Sequence, residues 1–199
     1  MPRFATERAE QDPTGFALVV AGREMSWAEV GDALNRCANR LLGAGAGAAG
    51  ALGPDHRVAV FAENAAETAL AHLGGLLGGA STVPVNFHLT ASEAAYILRD
   101  SGSGIVFVGP ETAERGVAAA AEAGITTVVG WNCDGIDGVV PWQQWWAGGS
   151  PTDPPGDVVP RPNLLYTSGT TGFPKGTELP PTMFAGGVTM DEHLDRLRQ

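Results

Sequence analysis

Four short apolar runs spaced between helical patterns constrain this chain more than any other feature. They are Val58-Ala59-Val60-Phe61, Thr82-Val83-Pro84-Val85, Ile105-Val106-Phe107-Val108 and Ile125-Thr126-Thr127-Val128-Val129. Such runs read as strands covered on both faces, as in a parallel sheet lined by helices. Around and between them recurs a helix-start signature, a Ser, Thr or Asn followed three residues later by Glu: Ser26/Glu29, Asn64/Glu67, Thr90/Glu93 and Thr189/Glu192. The two side chains of such a pair satisfy N–H groups that a helix leaves free at its start. After the first signature, Trp27, Val30, Leu34, Cys37 and Leu41 recur every three or four residues, the apolar stripe of an amphipathic helix. Alternating strand and helix predict an α/β fold, a mostly parallel β-sheet with flanking helices and right-handed crossovers. Pro84 confines its strand to an edge or makes it irregular. Ahead of the first helix, Phe16 to Val20 and Glu24-Met25 flank Ala21-Gly22-Arg23, which predicts a short hairpin.

At 199 residues and 44% hydrophobic, the chain has enough apolar material for a core of ordinary domain size. Its net charge of −10 argues against nucleic-acid or anionic-membrane partners, which want a basic face. Two cysteines make no disulfide framework. Cys37 falls on the apolar stripe and Cys133 in the turn Asn132-Cys133-Asp134-Gly135, so both read as unpaired thiols of a reducing compartment. Met1 to Gln11 mixes acids and arginines without an apolar core, unlike a secretion signal. The long uncharged run from Thr68 to Ser92 is broken by paired glycines and Pro84, which predicts helix, turn and strand rather than a transmembrane segment. A soluble, cytoplasmic protein is the expectation.

The chemistry concentrates in Thr167-Ser168-Gly169-Thr170-Thr171-Gly172-Phe173-Pro174-Lys175-Gly176. Four hydroxyls, three glycines and one ammonium follow the apolar run Leu164-Leu165-Tyr166. Glycines let successive N–H groups approach an anion, hydroxyls donate to phosphate oxygens, and lysine supplies a mobile point charge. Lys175 is the only lysine of the chain, and arginine does not replace it where a compact, rotatable donor is needed. The P-loop pattern G-x-x-x-x-G-K-[ST] does not fit. Counted from Gly169, Pro174 stands where glycine is required, and Gly176 stands where the magnesium-holding hydroxyl belongs. The segment from Ser150 to Pro162 holds five prolines and no periodicity, a connector that delivers the chain to this strand and loop, residues 163–176.

Tyr166 to Gly176 resembles, at every position, the signature Tyr-Thr-Ser-Gly-Thr-Thr-Gly-x-Pro-Lys-Gly of the adenylate-forming (AMP-binding) superfamily. That group includes acyl-CoA synthetases, peptide-synthetase adenylation domains and luciferases. The stretch Val83-Pro84-Val85-Asn86-Phe87-His88-Leu89-Thr90, with Glu93, Tyr96-Ile97-Leu98 and Asp100-Ser101-Gly102, is similar to one common in acyl-CoA synthetases. Met25-Ser26-Trp27, Asn35, Ala38-Asn39 and Leu41-Leu42 are similar to their first helix. The resemblance implies an ATP-dependent acyl-CoA ligase that joins a fatty or aryl carboxylic acid first to AMP and then to coenzyme A, with Mg2+ accompanying ATP. It implies Thr167, Ser168, Thr170 and Thr171 as hydroxyl donors, Gly169 and Gly172 as backbone contacts, and Lys175 as charge partner. A peptide-synthetase adenylation domain or a fatty-acyl-AMP ligase is the alternative among enzymes. A non-catalytic nucleotide- or subunit-binding domain is the alternative outside them. The family's later elements, among them the aromatic-Gly-x-Thr-Glu stretch, the Gly-Arg-x-Asp region and the small C-terminal domain, do not occur here. Residues 1–199 are therefore expected to form an incomplete N-terminal domain, inactive alone. After Gly176 the chain departs from the family's usual apolar run with Thr177-Glu178-Leu179-Pro180-Pro181.

Lesser signals read as structure. Gly45 to Gly50 matches G-x-G-x-x-G but follows a helix, where a dinucleotide fingerprint follows a strand. Trp142, Trp145 and Trp146 share a helical face that suits packing on a sheet. His56, His72, His88 and His193 show no ligand spacing, which leaves no zinc site. Glu111, Glu114 and Glu122 read as the solvated side of an alanine-rich helix.

Overall fold

A computed structural model describes residues 3–46, 52, 54–167, 173–178 and 188–197. Helix α1 (Arg3–Gln11) leads into the hairpin β1 (Phe16–Val20) and β2 (Arg23–Ser26), then α2 (Trp27–Ala46). Next come β3 (Arg57–Phe61), α3 (Ala66–Leu77), β4 (Ser81–Val85), α4 (Ala91–Asp100), β5 (Ile105–Val108), α5 (Ala113–Ala123) and β6 (Thr127–Gly130). The chain continues through β7 (Val139–Pro141), α6 (Trp142–Ala147), β8 (Leu164–Thr167), β9 (Lys175–Glu178) and α7 (Met190–Leu197).

Strands β3 to β7 form one parallel sheet in the order β4-β3-β5-β6-β7. Successive side chains leave opposite faces of a strand. Val58, Val60, Ile105, Phe107 and Val129 accordingly meet one cluster with α2, α3 and α6. Ala59, Phe61, Val106, Val108 and Val128 meet a second cluster with α4 and α5. Burial of each large side chain contributes about 1.5–3 kcal/mol, so the runs without charge are what a doubly covered sheet requires. Phe107 meets Trp142 and Trp145 edge to face at ring-centroid separations of 5.6 and 5.2 Å, and Trp131 meets Trp142 at 6.0 Å. The tryptophan helix is thus sheet packing, as its spacing implies.

Pro84 lies in β4, an edge strand as predicted. Two capping boxes form as read: Ser26 with Glu29, and Thr90 with Glu93. The Asn64/Glu67 reading fails. Helix α3 starts after Ala65 without a side-chain cap, and Glu67 is buried against Arg23. At Thr189/Glu192 the hydroxyl accepts the Glu192 N–H, but the carboxylate accepts that of Val188 rather than of the capping residue. The fourth apolar run begins two residues late, at Thr127, because Gly124 ends α5 in the left-handed region (φ 78°) and Ile125 still completes that turn. Sequence reading missed α1 and β7. The Gly45–Gly50 pattern opens inside α2, and its remaining residues lie outside the described ones.

The proline-rich connector is held by side-chain amides of α2. Asn35 Nδ2 donates to Pro151 O at 2.6 Å, and Asn39 Nδ2 donates to Ser150 O at 3.0 Å and Thr152 O at 2.7 Å. Further on, the N–H groups of Met190 and Asp191 bond Val158 O and Gly156 O, which seats α7 against the same segment.

Candidate functional site

Strands β8 and β9 pair antiparallel, with Leu164 opposite Glu178, Leu165 opposite Thr177, Tyr166 opposite Gly176 and Thr167 opposite Lys175. The strand that delivers the loop therefore belongs to a ribbon of its own. It is not a member of the parallel sheet. Beside it, edge strand β4 carries Pro84, which has no N–H to donate. Side chains bridge the two instead: Ser81 Oγ donates to Pro162 O at 2.7 Å and Thr82 Oγ1 to Asn163 Oδ1 at 2.6 Å.

Of the seven predicted site residues, the structure places Thr167 and Lys175, and makes them cross-strand partners at the end of the ribbon. Both are exposed. Ser168, Gly169, Thr170, Thr171 and Gly172 lie outside the described residues. Opposed residues of an antiparallel pair have Cα atoms roughly 4.5–5.5 Å apart, so a hydroxyl and an ammonium stand side by side where the loop begins and ends.

Three fastenings hold the ribbon against the rest of the fold. At its root, Arg57 bonds Glu178 Oε1 at 2.7 Å and Ser101 O at 2.9 Å. Midway, Tyr166 Oη donates to Asp100 Oδ2 at 2.6 Å. Burial, followed by that bond to the Asp100 carboxylate, holds the Tyr166 phenol well above its ordinary value. Near the tip, the Tyr96 ring meets Phe173 at a centroid separation of 5.1 Å, and Tyr96 Oη donates to Pro174 O at 3.3 Å. The ribbon thus runs back along α4, from its last residue towards its first.

Gly176 eases this course. A Cβ there would lie 3.2 Å from Tyr166 Cζ and from Leu164 Cδ1, so its absence lets the tyrosine ring cross the neighbouring strand to reach Asp100. The start of α4 is fixed by Thr90, whose N–H and hydroxyl both donate to Glu93 Oε2, at 2.8 and 2.7 Å. Those bonds hold the Glu93 carboxyl below its usual value. Between α4 and the ribbon tip opens a cleft of about 320 Å³, lined by Leu89, Ser92, Glu93, Tyr96, Phe173 and Pro174.

The two segments that stand out in the sequence, Val83–Gly102 and Tyr166–Gly176, therefore meet in space through Tyr96 and Asp100. Sequence reasoning identified Tyr96, Asp100, Tyr166 and Pro174 as members of motifs but missed that Tyr96 meets Pro174 and Asp100 meets Tyr166. Among the described residues, no three His, Cys, Asp or Glu side chains group as metal ligands, and no helix is long and apolar enough to cross a membrane. Both cysteines are free thiols, Cys37 buried and Cys133 partly so.

The family model described as AMP-binding enzyme matches residues 5–186. The fatty acid–[acyl-carrier-protein] ligase ScoC of Streptomyces coeruleorubidus is 34% identical over 180 residues, covering 86% of this chain and 31% of that protein. The long-chain-fatty-acid–CoA ligase FadD13 of Mycobacterium tuberculosis is 34% identical over 175 residues, 85% of this chain and 33% of its own. Among solved structures, the inhibitor-bound N-terminal domain of FACL13 from Mycobacterium tuberculosis superposes with a TM-score of 0.67 at 29% identity, covering 89% of this chain and 43% of that one. The chain thus spans about a third of the length of these curated relatives.

Proposed function

The chain belongs to the AMP-binding enzyme family, and from that premise we propose that it is the triphosphate-holding portion of an ATP-dependent acyl-CoA ligase. In that reaction a carboxylate oxygen attacks the α-phosphorus of ATP, the bond to the bridging oxygen breaks, and pyrophosphate leaves. A thiol sulfur then attacks the acyl carbonyl and expels AMP. The relatives that support this reading are a CoA ligase and an acyl-carrier-protein ligase, both of fatty acids. Coenzyme A is our choice of acceptor because Val83–Gly102 resembles the acyl-CoA synthetases.

The observation that carries the proposal is the pairing of Thr167 with Lys175 at the end of a fastened ribbon. Charge grows on the pyrophosphate as it leaves, and donors already fixed in place stabilise it without reorganising. In this reading Lys175 Nζ supports the departing phosphates and Thr167 donates a hydroxyl, with Ser168, Gly169, Thr170, Thr171 and Gly172 completing the cradle. Mg2+ would arrive with the nucleotide; no described cluster of side chains is built to hold it, and we assign it no ligand.

The test is calorimetric titration of the 199-residue chain with ATP and with inorganic pyrophosphate. Lys175→Met is expected to weaken both by about tenfold or more, the order of a lost charge-assisted bond of roughly 1.5–3 kcal/mol. Equal affinity in wild type and variant would refute the assignment. The chain alone is expected to give no carboxylate-dependent exchange of pyrophosphate into ATP.

A further inference from the structure

Helix α4 touches each arm of the ribbon one residue before the pair it displays. Tyr166, bonded to Asp100, directly precedes Thr167; Pro174, bonded to Tyr96, directly precedes Lys175. The Pro174 carbonyl belongs to the same peptide unit as the Lys175 N–H, so the Tyr96 hydroxyl fixes the plane from which the lysine springs. Tyr96 and Asp100 are four residues apart on α4 and share one face of it. That helix is itself closed at its start by the Thr90/Glu93 box and packed through Ala94, Ala95, Ile97 and Leu98 into the core. A rigid element thus grips both strands at matching positions, and the glycine at 176 clears the path for one of the grips.

We infer that Tyr96 and Asp100 are positioning residues for phosphate binding, which set the orientation of Lys175 and Thr167 without touching the nucleotide. The inference rests on the reading of Lys175 and Thr167 as phosphate donors. A ribbon held by α4 presents both groups in one orientation, and a ribbon released from it presents them correctly only part of the time. Apparent affinity falls by the fraction of time spent in the competent orientation.

The experiment measures ATP affinity, melting temperature and amide exchange at Lys175 to Thr177 in the 199-residue chain. Tyr96→Ala loses ring contact and hydrogen bond together and is expected to weaken ATP about tenfold, while Tyr96→Phe, which keeps the ring, weakens it about threefold. Asp100→Ala and Tyr166→Phe break the same bond, so each is expected to cost a similar factor and the double variant no more than either alone. Asp100→Asn, which still accepts from the phenol, restores most of the affinity. Exchange at the three amides quickens in step with the loss. Affinity unchanged in Tyr96→Ala and Asp100→Ala, while Lys175→Met abolishes binding, would overturn the positioning role and leave the phosphate reading intact. Melting temperatures that fall with no change in affinity would do the same. Failure of the wild-type chain to bind ATP would overturn both.

Discussion

Substituting alanine for glycine should have opposite consequences at two helical positions, Gly74 in α3 and Gly43 in α2. An alanine inside a helix is intrinsically better than glycine by about 1 kcal/mol, because glycine loses more backbone freedom on folding. At Gly43 a new Cβ would meet nothing within 4 Å, so the full gain is expected. At Gly74 the Cβ would stand 2.5 Å from Cys37 Sγ and 2.7 Å from Cys37 Cβ. Cys37 is fully buried, so it has nowhere to retreat. Forcing an extra carbon into a packed interface costs about 1–3 kcal/mol, which cancels or exceeds the gain and leaves a net loss of up to about 2 kcal/mol. For a chain of this size each 1 kcal/mol moves the melting temperature by about 2–4 °C. Gly43→Ala should therefore melt a few degrees higher than wild type and Gly74→Ala up to several degrees lower, by differential scanning calorimetry. The cause is checked by adding Cys37→Ala, which removes Sγ and should cost less in the Gly74→Ala background than in wild type. If both glycine variants shift the melting temperature in the same direction, the close approach of α2 and α3 does not govern this position.

Other outcomes follow from the same structure. Thr112 Oγ1 accepts the Gly109 N–H at 3.1 Å and donates to Phe61 O at 2.6 Å. Thr112→Val should cost about 2–4 kcal/mol by leaving two buried backbone groups short of a partner, read as a shift of the urea midpoint. Burial pushes the Cys37 thiol up to about 12, and burial with Glu63 and Asp134 nearby pushes Cys133 up to about 11. At pH 8 a disulfide reagent should therefore leave Cys37 unmodified and react sluggishly with Cys133 in the native chain, while both react readily in denaturant. Burial holds His72 and His193 below their ordinary value, with Arg196 adding to the effect at His193. The unfolded chain then takes up protons first, so stability is complete above pH ~6.5 and falls as pH drops towards the folded-state values. Melting temperature should decline from pH 7.5 to 5.5, and His72→Gln should reduce that decline.

Strand and helix alternation was legible because the inner strands carry apolar runs without charge, Val58–Phe61 and Ile105–Val108, separated by helical stretches. The Ser26 and Thr90 caps were legible because a capping box is local. The Asn64/Glu67 signature has the same local pattern, but burial of Glu67 against Arg23, 44 residues away, overrode it. Strand β7 escaped notice since three residues ending in proline carry no periodicity, and only parallel pairing with β6 makes them a strand. At the candidate site, residue types pointed to phosphate chemistry through donor content alone. The union of Tyr96 and Asp100 with Pro174 and Tyr166 was not legible, because contacts between segments about 70 residues apart leave no mark on either segment's own spacing.

The amides of Asn35 and Asn39 clasp main-chain oxygens of the connector, with one further bond from Asn35 Nδ2 to Asp153 Oδ1 at 3.3 Å. A belt secured by its main chain is free to change its decoration while its route stays put. Tolerance for sequence drift should therefore concentrate at 150–152, whose main-chain oxygens do the holding, and intolerance at the two asparagines that act as belt loops. The heading on which the chain later enters the ribbon is inherited from a helix more than a hundred residues upstream.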